Sequence, residues 1–373
     1  MQTKHIYWCK NCLNTNTRPR ITFDKRGWCN ACQWMEEKKT LNWNKRTKEL
    51  LNILKKYRSN NNKYDCVVPV SGGKDGSYIA YKLKNKYKMN PLCINVAPPL
   101  PLDIGTKNLD NFHKSGFDLV QLHLNYELMR HLDLQGFIKM GSPYWGWMTA
   151  IHTAVIRTAC KLGLELIIYG EDGETEYGGS SETKNQSLIS IEYQKRIWLE
   201  GGYKKIINQI PSKLKKYSEF WKYPDNEDLK KSKCYSTTMS YFEPWDSYRN
   251  YLTSKKYMGL QENKETKGGT FTNFAQNDQK LYSLHTYLMY LKFGFGRATQ
   301  DVGIEIRRGA MTRNQGLNIV KIYDNAPPEN QVSLFCDYYK ITKNKYYQTL
   351  DKWANKKLFK KVKDIWVPQF KVK

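Results

Sequence analysis

Tyr64-Asp65-Cys66-Val67-Val68-Pro69-Val70 runs straight into Ser71-Gly72-Gly73-Lys74-Asp75-Gly76-Ser77. The first stretch is short, apolar and β-branched, which suits a buried strand. The second opens with adjacent glycines, which let backbone N–H groups close around phosphate oxygens ahead of a helix. Within it, Lys74 can neutralise phosphate, Ser71 and Ser77 can donate hydroxyl hydrogen bonds, and Asp75 can orient the loop or help hold magnesium. The spacing is not GxxxxGK[ST], so this is no Walker A loop. A helix is predicted over 77–87, with Ile79, Ala80 and Leu83 inward.

The same alternation continues downstream. Residues 92–97, 118–124 and 164–169 read as further strands, and 148–162 as a helix rich in small residues. Strands separated by helices imply an α/β fold with a parallel, doubly wound sheet. Upstream, the charged stretch 36–63 reads as a connecting helix carrying Leu41, Leu50, Leu51 and Leu54. Beyond residue 190 the chain turns lysine- and tyrosine-rich, with helical stretches predicted over 203–217, 278–293 and 332–352. The expected division is a four-cysteine knob at 1–40, an ATP-binding α/β domain at 41–190, and a mainly helical substrate- or partner-binding region at 191–373.

Cys9, Cys12, Cys29 and Cys32 form two CxxC pairs separated by sixteen residues. Each pair aims two thiolates at one ion, and together they complete a closed tetrahedral site, the structural form of zinc binding. An iron–sulfur cluster or vestigial cysteines are the alternatives. A closed site does not catalyse, so its role is folding or docking. Gly27 lets the chain turn just before the second pair. Cys66 and Cys93 fall within strand-like runs and read as packing residues, while Cys160, Cys234 and Cys336 are isolated in sequence.

Two further segments carry functional side chains. Glu171 and Asp172, in Tyr169-Gly170-Glu171-Asp172-Gly173-Glu174, follow the fourth predicted strand, at the sheet edge where ligands of open parallel sheets bind. Carboxylates there could hold the magnesium of ATP or steer a nucleophile; a solvated acidic loop is the plainer reading. Farther on, Arg297, Arg307, Arg308 and Arg313 bring four of the thirteen arginines within seventeen residues. Arg297, Arg307 and Arg313 are candidates for recognising a phosphate or carboxylate, against a surface helix with paired charges.

The net charge of +26 suits a polyanion such as tRNA or an anionic nucleotide. Lysine supplies 48 of the 61 basic residues, however, and lysine, asparagine, tyrosine and isoleucine together are what an A/T-rich genome places on tolerant surfaces. No apolar run approaches the roughly 20 residues of a membrane helix, and the first twelve residues hold no signal-peptide core, so a cytoplasmic location is expected.

The loop at 71–77 resembles the SGGxDS signature of PP-loop ATP pyrophosphatases, which cleave ATP between the α- and β-phosphates. It departs from that signature in placing Gly76 where serine is usual, with Ser77 one position later. Together with the cysteine pairs, Thr17-Arg18-Pro19, Glu176-Tyr177-Gly178-Gly179, Pro244-Trp245-Asp246-Ser247-Tyr248, Lys292-Phe293-Gly294-Phe295-Gly296-Arg297-Ala298-Thr299 and Ile306-Arg307-Arg308-Gly309-Ala310-Met311-Thr312-Arg313, it resembles the bacterial N-acetyl sugar amidotransferases of the WbpG/PseA type. That resemblance implies conversion of a sugar acetamido group into an acetamidino group. ATP, magnesium and structural zinc are the implied cofactors. The pathway would be assembly of surface polysaccharide such as lipopolysaccharide O-antigen, or of pseudaminic or legionaminic acid. The chain begins Met1-Gln2, without an N-terminal cysteine, and has no GxCxG-type elbow. The chain is therefore expected to lack a glutaminase of its own, and the resemblance implies a separate glutaminase partner supplying ammonia, with a cyclase-like subunit. The alternative is a tRNA-modifying PP-loop enzyme of the thiolation or lysidine type. Against it, the cysteines outside the two CxxC pairs are scattered, and nucleic acid is not the expected partner. A zinc-bearing adaptor with a dead nucleotide fold is a third reading, disfavoured by the intact loop at 71–74.

Overall fold

The computed structural model describes residues 6–59, 63–266 and 268–373. The Met1-Gln2 start lies outside them. At the centre is a five-stranded, all-parallel sheet in the order β3-β2-β1-β4-β5: β1 Cys66–Pro69, β2 Pro91–Val96, β3 Leu119–Leu122, β4 Leu166–Tyr169 and β5 Tyr235–Thr238. The central strands β1 and β4 are apolar on both faces because both faces are covered. Successive side chains alternate between two cores. Val67, Ile94 and Ile167 face the helices Tyr126–Met140, Trp145–Lys161 and Leu281–Phe293. Cys66, Val68, Leu166 and Ile168 face the helices Trp43–Tyr57 and Lys74–Asn85. Cys66 and Cys93 are fully buried packing residues, as their sequence context suggests.

Several expected elements shift. The helix after the glycine loop begins at Lys74, three residues early, so Lys74, Asp75 and Gly76 form its first turn. The connecting helix is two helices, Asn30–Thr40 and Trp43–Tyr57, broken at Leu41, and Leu51 is exposed rather than inward. Pro211 splits the helix expected over 203–217 into Tyr203–Ile207 and a 3-10 helix Ser212–Trp221. The sheet also reaches past the expected boundary near residue 190. β5 is a short polar strand, Tyr-Ser-Thr-Thr, with no apolar run to announce it. Beyond it the chain is mainly helical, ending in the antiparallel pair β6 Phe359–Val362 and β7 Ile365–Pro368. Among the described residues, no helix is long and apolar enough to cross a membrane.

Candidate functional site

From β1 the chain winds outward through β2 to β3, then returns to the other side of β1 for β4. The strand order therefore reverses between β1 and β4. Loops at the carboxyl ends of such a pair flank a crevice, and here they are 71–73 and 170–172. Gly72 takes φ +79°, and a Cβ there would stand 2.4 Å from the Leu109 backbone nitrogen. Only glycine lets the loop lie against the helix Asp103–Lys114. Gly76 has a different reason. A Cβ there would lie 2.7 Å from the Pro69 carbonyl oxygen, so the strand–helix contact excludes the usual serine. Ser77 does not replace it: its hydroxyl is buried, with no hydrogen-bond partner, and it does not line the crevice.

The crevice is a cavity of about 280 Å³ lined by residues 71–76, Glu171, Tyr177 and Arg297, and closed by residues 274–278 with His285 from the helix Leu281–Phe293. No side chain caps the helix starting at Lys74, so its first N–H groups remain available to an anion. Lys74 pairs with Asp75. Burial works against the Lys74 ammonium, but the Asp75 and Glu171 carboxylates outweigh it and hold its pKa above the ordinary lysine value. Burial and the nearby Asp75 push the Glu171 carboxyl upward, against the pull of Lys74. Two close carboxylates offer the oxygen ligands a divalent cation takes, and the Lys74 ammonium beside them suits the phosphate oxygens instead. Asn250 Nδ2 donates to Asp75 Oδ1 at 2.9 Å, and Tyr177 donates its hydroxyl to Glu171 Oε1 at 2.7 Å. His285 is kept neutral, its pKa driven down to about 3 by burial and by Lys292 and Arg297, and its Nδ1 has no partner.

The expected site residues divide into three groups. Ser71, Gly72, Gly73, Lys74, Asp75, Gly76, Glu171 and Arg297 meet in the cavity. Asp172 does not: it is buried, capping the short helix Gly173–Tyr177 through the Glu174 N–H and accepting from Thr175 and Thr183. Both of its oxygens are turned to these partners, and it is absent from the cavity lining. Arg307 and Arg313 also lie elsewhere. Arg307 donates to Cys12 Sγ at 3.4 Å and to the Glu176 carbonyl at 3.2 Å; Arg313 donates to the carbonyls of Cys9 and Lys373. Both arginines serve the cysteine knob. Residues such as Asn108, Tyr144 and His285 escaped sequence reading. None of them stands in a motif: His285, for one, shares its helix with the polar Ser283, Thr286 and Lys292.

In the knob, Cys9, Cys12, Cys29 and Cys32 are all buried, with ligand atoms within 4.8 Å of one another. Sulfur pairs lie 3.7, 3.5 and 3.7 Å apart for Cys9–Cys32, Cys12–Cys29 and Cys29–Cys32. Backbone N–H groups of Cys12 and Cys29 donate to Cys9 Sγ, while Asn11 and Asn14 donate to the sulfurs of Cys32 and Cys29. Four buried sulfurs ringed by donors fit a metal centre. The knob also grips the segment after β4. Glu176 takes hydrogen bonds from Trp34 and Lys38, Asn14 donates to the Tyr177 carbonyl, and Asn30 donates to that of Gly179. Tyr177, which holds Glu171, is thus fixed from behind by the knob.

Cys160 and Cys234 are isolated in sequence, and Cys160 Sγ accepts a hydrogen bond from Ser232 Oγ at 3.2 Å. They sit at the amino ends of β4 and β5, beside Glu165 and Tyr235. The cavity is at the opposite edge of the sheet, out of reach of their sulfurs.

A family model described as LPS biosynthesis protein WbpG-like, C-terminal domain, matches residues 268–372. This stretch supplies the cavity wall from Phe274 to Gln300. Uncharacterized protein MJ1599 of Methanocaldococcus jannaschii is 29% identical over 221 residues, 58% of this chain and 74% of the relative. Among solved structures, the U34-tRNA thiolase NcsA from Methanococcus maripaludis with its [4Fe-4S] cluster aligns over 83% of this chain and 88% of its own at 16% identity. With a TM-score of 0.32, that likeness is too low to bear on function.

Proposed function

We propose that this chain is an ATP-dependent amidotransferase that converts the acetamido group of a sugar to an acetamidino group, in surface polysaccharide biosynthesis. The observation that carries the proposal is the meeting of an uncapped helix start, Lys74, Asp75 and Glu171 at the crevice between β1 and β4, in a chain with a WbpG-like C-terminal region. The amide oxygen attacks the α-phosphorus of ATP and pyrophosphate leaves, giving an O-adenylated imidate. Ammonia then adds to the imidate carbon, AMP departs with the former amide oxygen, and a proton is lost. The Gly72–Gly73 backbone and Lys74 receive the pyrophosphate, whose growing charge needs donors already in place. Arg297, anchored on Asp301 at 2.8 Å, adds a second fixed positive charge. Asp75 and Glu171 would hold magnesium, which screens the phosphates when bound. Most of the remaining acceleration comes from aligning amide and ATP.

The knob metal is read as zinc. Four sulfurs about 2.3 Å from one tetrahedral ion lie about 3.8 Å apart, close to the 3.5 to 3.7 Å separations of the cysteine pairs. A four-iron cube, with each cysteine on a different iron, spreads them wider. A separate glutaminase with a cyclase-like subunit supplies the ammonia.

The test is incubation with ATP, magnesium, ammonium and a panel of acetamido sugars and sugar nucleotides carrying heavy oxygen in the amide. The expected result is AMP bearing the label and a product lighter by the exchange of oxygen for NH. Unlabelled AMP, or AMP formed only with tRNA, defeats the proposal.

A further inference from the structure

A second cavity, of about 450 Å³, adjoins the first and shares Asp75, Glu171 and Tyr177 with it as a common wall. Its floor is the end of β4, at Tyr169 and Gly170, and His152 of the helix Trp145–Lys161. Trp198, Glu200, Glu174 and Arg18 of the cysteine knob also line it.

The lining has a distinct chemistry. Trp198 is half-buried, with ring centroids 4.9 Å from His152 and 5.7 Å from Tyr169, so the indole is braced while part of it stays accessible. Nδ1 of His152, the Tyr169 hydroxyl and Nε of Arg18 are shut off from solvent without a hydrogen-bond partner. Burial holds the His152 pKa down to about 4, so the ring is neutral. Unpartnered buried polar atoms are costly, and three around one cavity mark a place that a polar ligand completes. Carboxylates outnumber the two arginines on this lining, and Arg20 is already committed to Glu174, donating from Nε and Nη2 to its two oxygens. That balance disfavours a polyanion. It suits an uncharged ligand with many hydroxyl donors and one flat apolar face, which is the character of a pyranose ring.

We infer that this second cavity is the acceptor subsite, in which the sugar ring lies on Trp198 with its acetamido group at the Asp75–Glu171–Tyr177 wall, facing the nucleotide across it. The inference rests on the proposed amidotransferase reading and goes beyond it by assigning a place to each substrate. It gives the knob a direct part in acceptor binding through Arg18. It also explains why Glu171 is fixed by Tyr177: the carboxylate stands where the two substrates meet.

Saturation-transfer NMR on the metal-loaded full chain, with a non-hydrolysable ATP analogue present, tests the subsite. The probes are N-acetylglucosamine, N-acetylgalactosamine and N-acetylmannosamine, free and as uridine diphosphate conjugates. Ring and acetyl-methyl protons should receive saturation, and Trp198→Ala should abolish this while Trp198→Phe preserves it. Glu200 is exposed, so Glu200→Gln is a variant that folds readily; losing a charged acceptor should weaken sugar binding about tenfold. Analogue binding should be the same in all three variants. If sugar binding survives both Trp198→Ala and Glu200→Gln unchanged, the subsite is elsewhere and the amidotransferase reading stands. If only the uridine protons saturate, the cavity is a nucleoside site and the inference fails. If the analogue binds and no acetamido sugar does, the subsite and the substrate class fall together.

Discussion

The cysteine knob and the phosphate cavity are both built on short local motifs, yet they end in opposite states. In the knob, Cys9, Cys12, Cys29 and Cys32 receive donors from the backbone, Asn11, Asn14 and Arg307. Its charges are closed off internally. The cavity leaves the helix start at Lys74 uncapped and the Nδ1 of His285 without a partner, and crowds Asp75 and Glu171 so that Glu171 resists ionisation. A site satisfied within itself can only hold shape. Unsatisfied groups and perturbed carboxylates retain free energy that a ligand can collect. The two regions touch through residues 176–179, so the closed one braces the open one.

The sharpest way to separate them is Lys74→Ala. It removes the cavity's central cation and nothing in the knob. AMP formation should fall by about a thousandfold, the scale of losing a fixed donor to developing charge, while metal content by mass spectrometry stays at the wild-type value. Retained turnover would mean that phosphate is held elsewhere. The converse is Arg307→Gln, which strips a guanidinium from Cys12 and from the Glu176 carbonyl. Loss of an outer partner of a ligand costs metal affinity about 10- to 100-fold, readable by competition with a chromogenic chelator. Unchanged affinity would put the arginine outside the metal's support.

What sequence reading could reach follows the same division. The knob and the 71–76 loop are contiguous, so their chemistry is visible in spacing alone. Arg307 and Arg313 are near Arg297 in sequence, yet the helix Arg297–Arg307 carries its two ends to different places, Arg297 to the cavity and Arg307 to Cys12. Asp172 adjoins Glu171 but faces the other way, because it caps the helix Gly173–Tyr177. β5 carries no strand signal because Tyr235-Ser236-Thr237-Thr238 is polar: Thr237 donates to the Ser187 carbonyl and Ser236 to that of Ile189, satisfying in the interior what an apolar strand would not carry. Pairing across 69 residues, from β4 to β5, and the approach of Asn277 and Asp278 to Gly105 are set by packing, on which local pattern has no hold.

The subtlest test addresses the link itself. Glu176 is almost wholly enclosed, receiving the Lys38 ammonium at 2.6 Å and the Trp34 indole N–H at 3.0 Å. It touches neither a sulfur nor the cavity; it fastens the knob's helix Asn30–Thr40 to the residue just before Tyr177. Glu176→Gln preserves shape and one hydrogen bond but leaves Lys38 without its counter-charge. If the knob acts by positioning, Tyr177 loosens and Glu171 strays. A displacement approaching 1 Å costs up to about a hundredfold, so a partial shift should lower kcat about tenfold. KM for ATP and bound metal should not move, because Lys74, the 71–73 loop and the four sulfurs are untouched. A parallel loss of metal would mean that Glu176 belongs to the metal's own support. An unchanged kcat would mean that the knob and the cavity, though in contact, work independently.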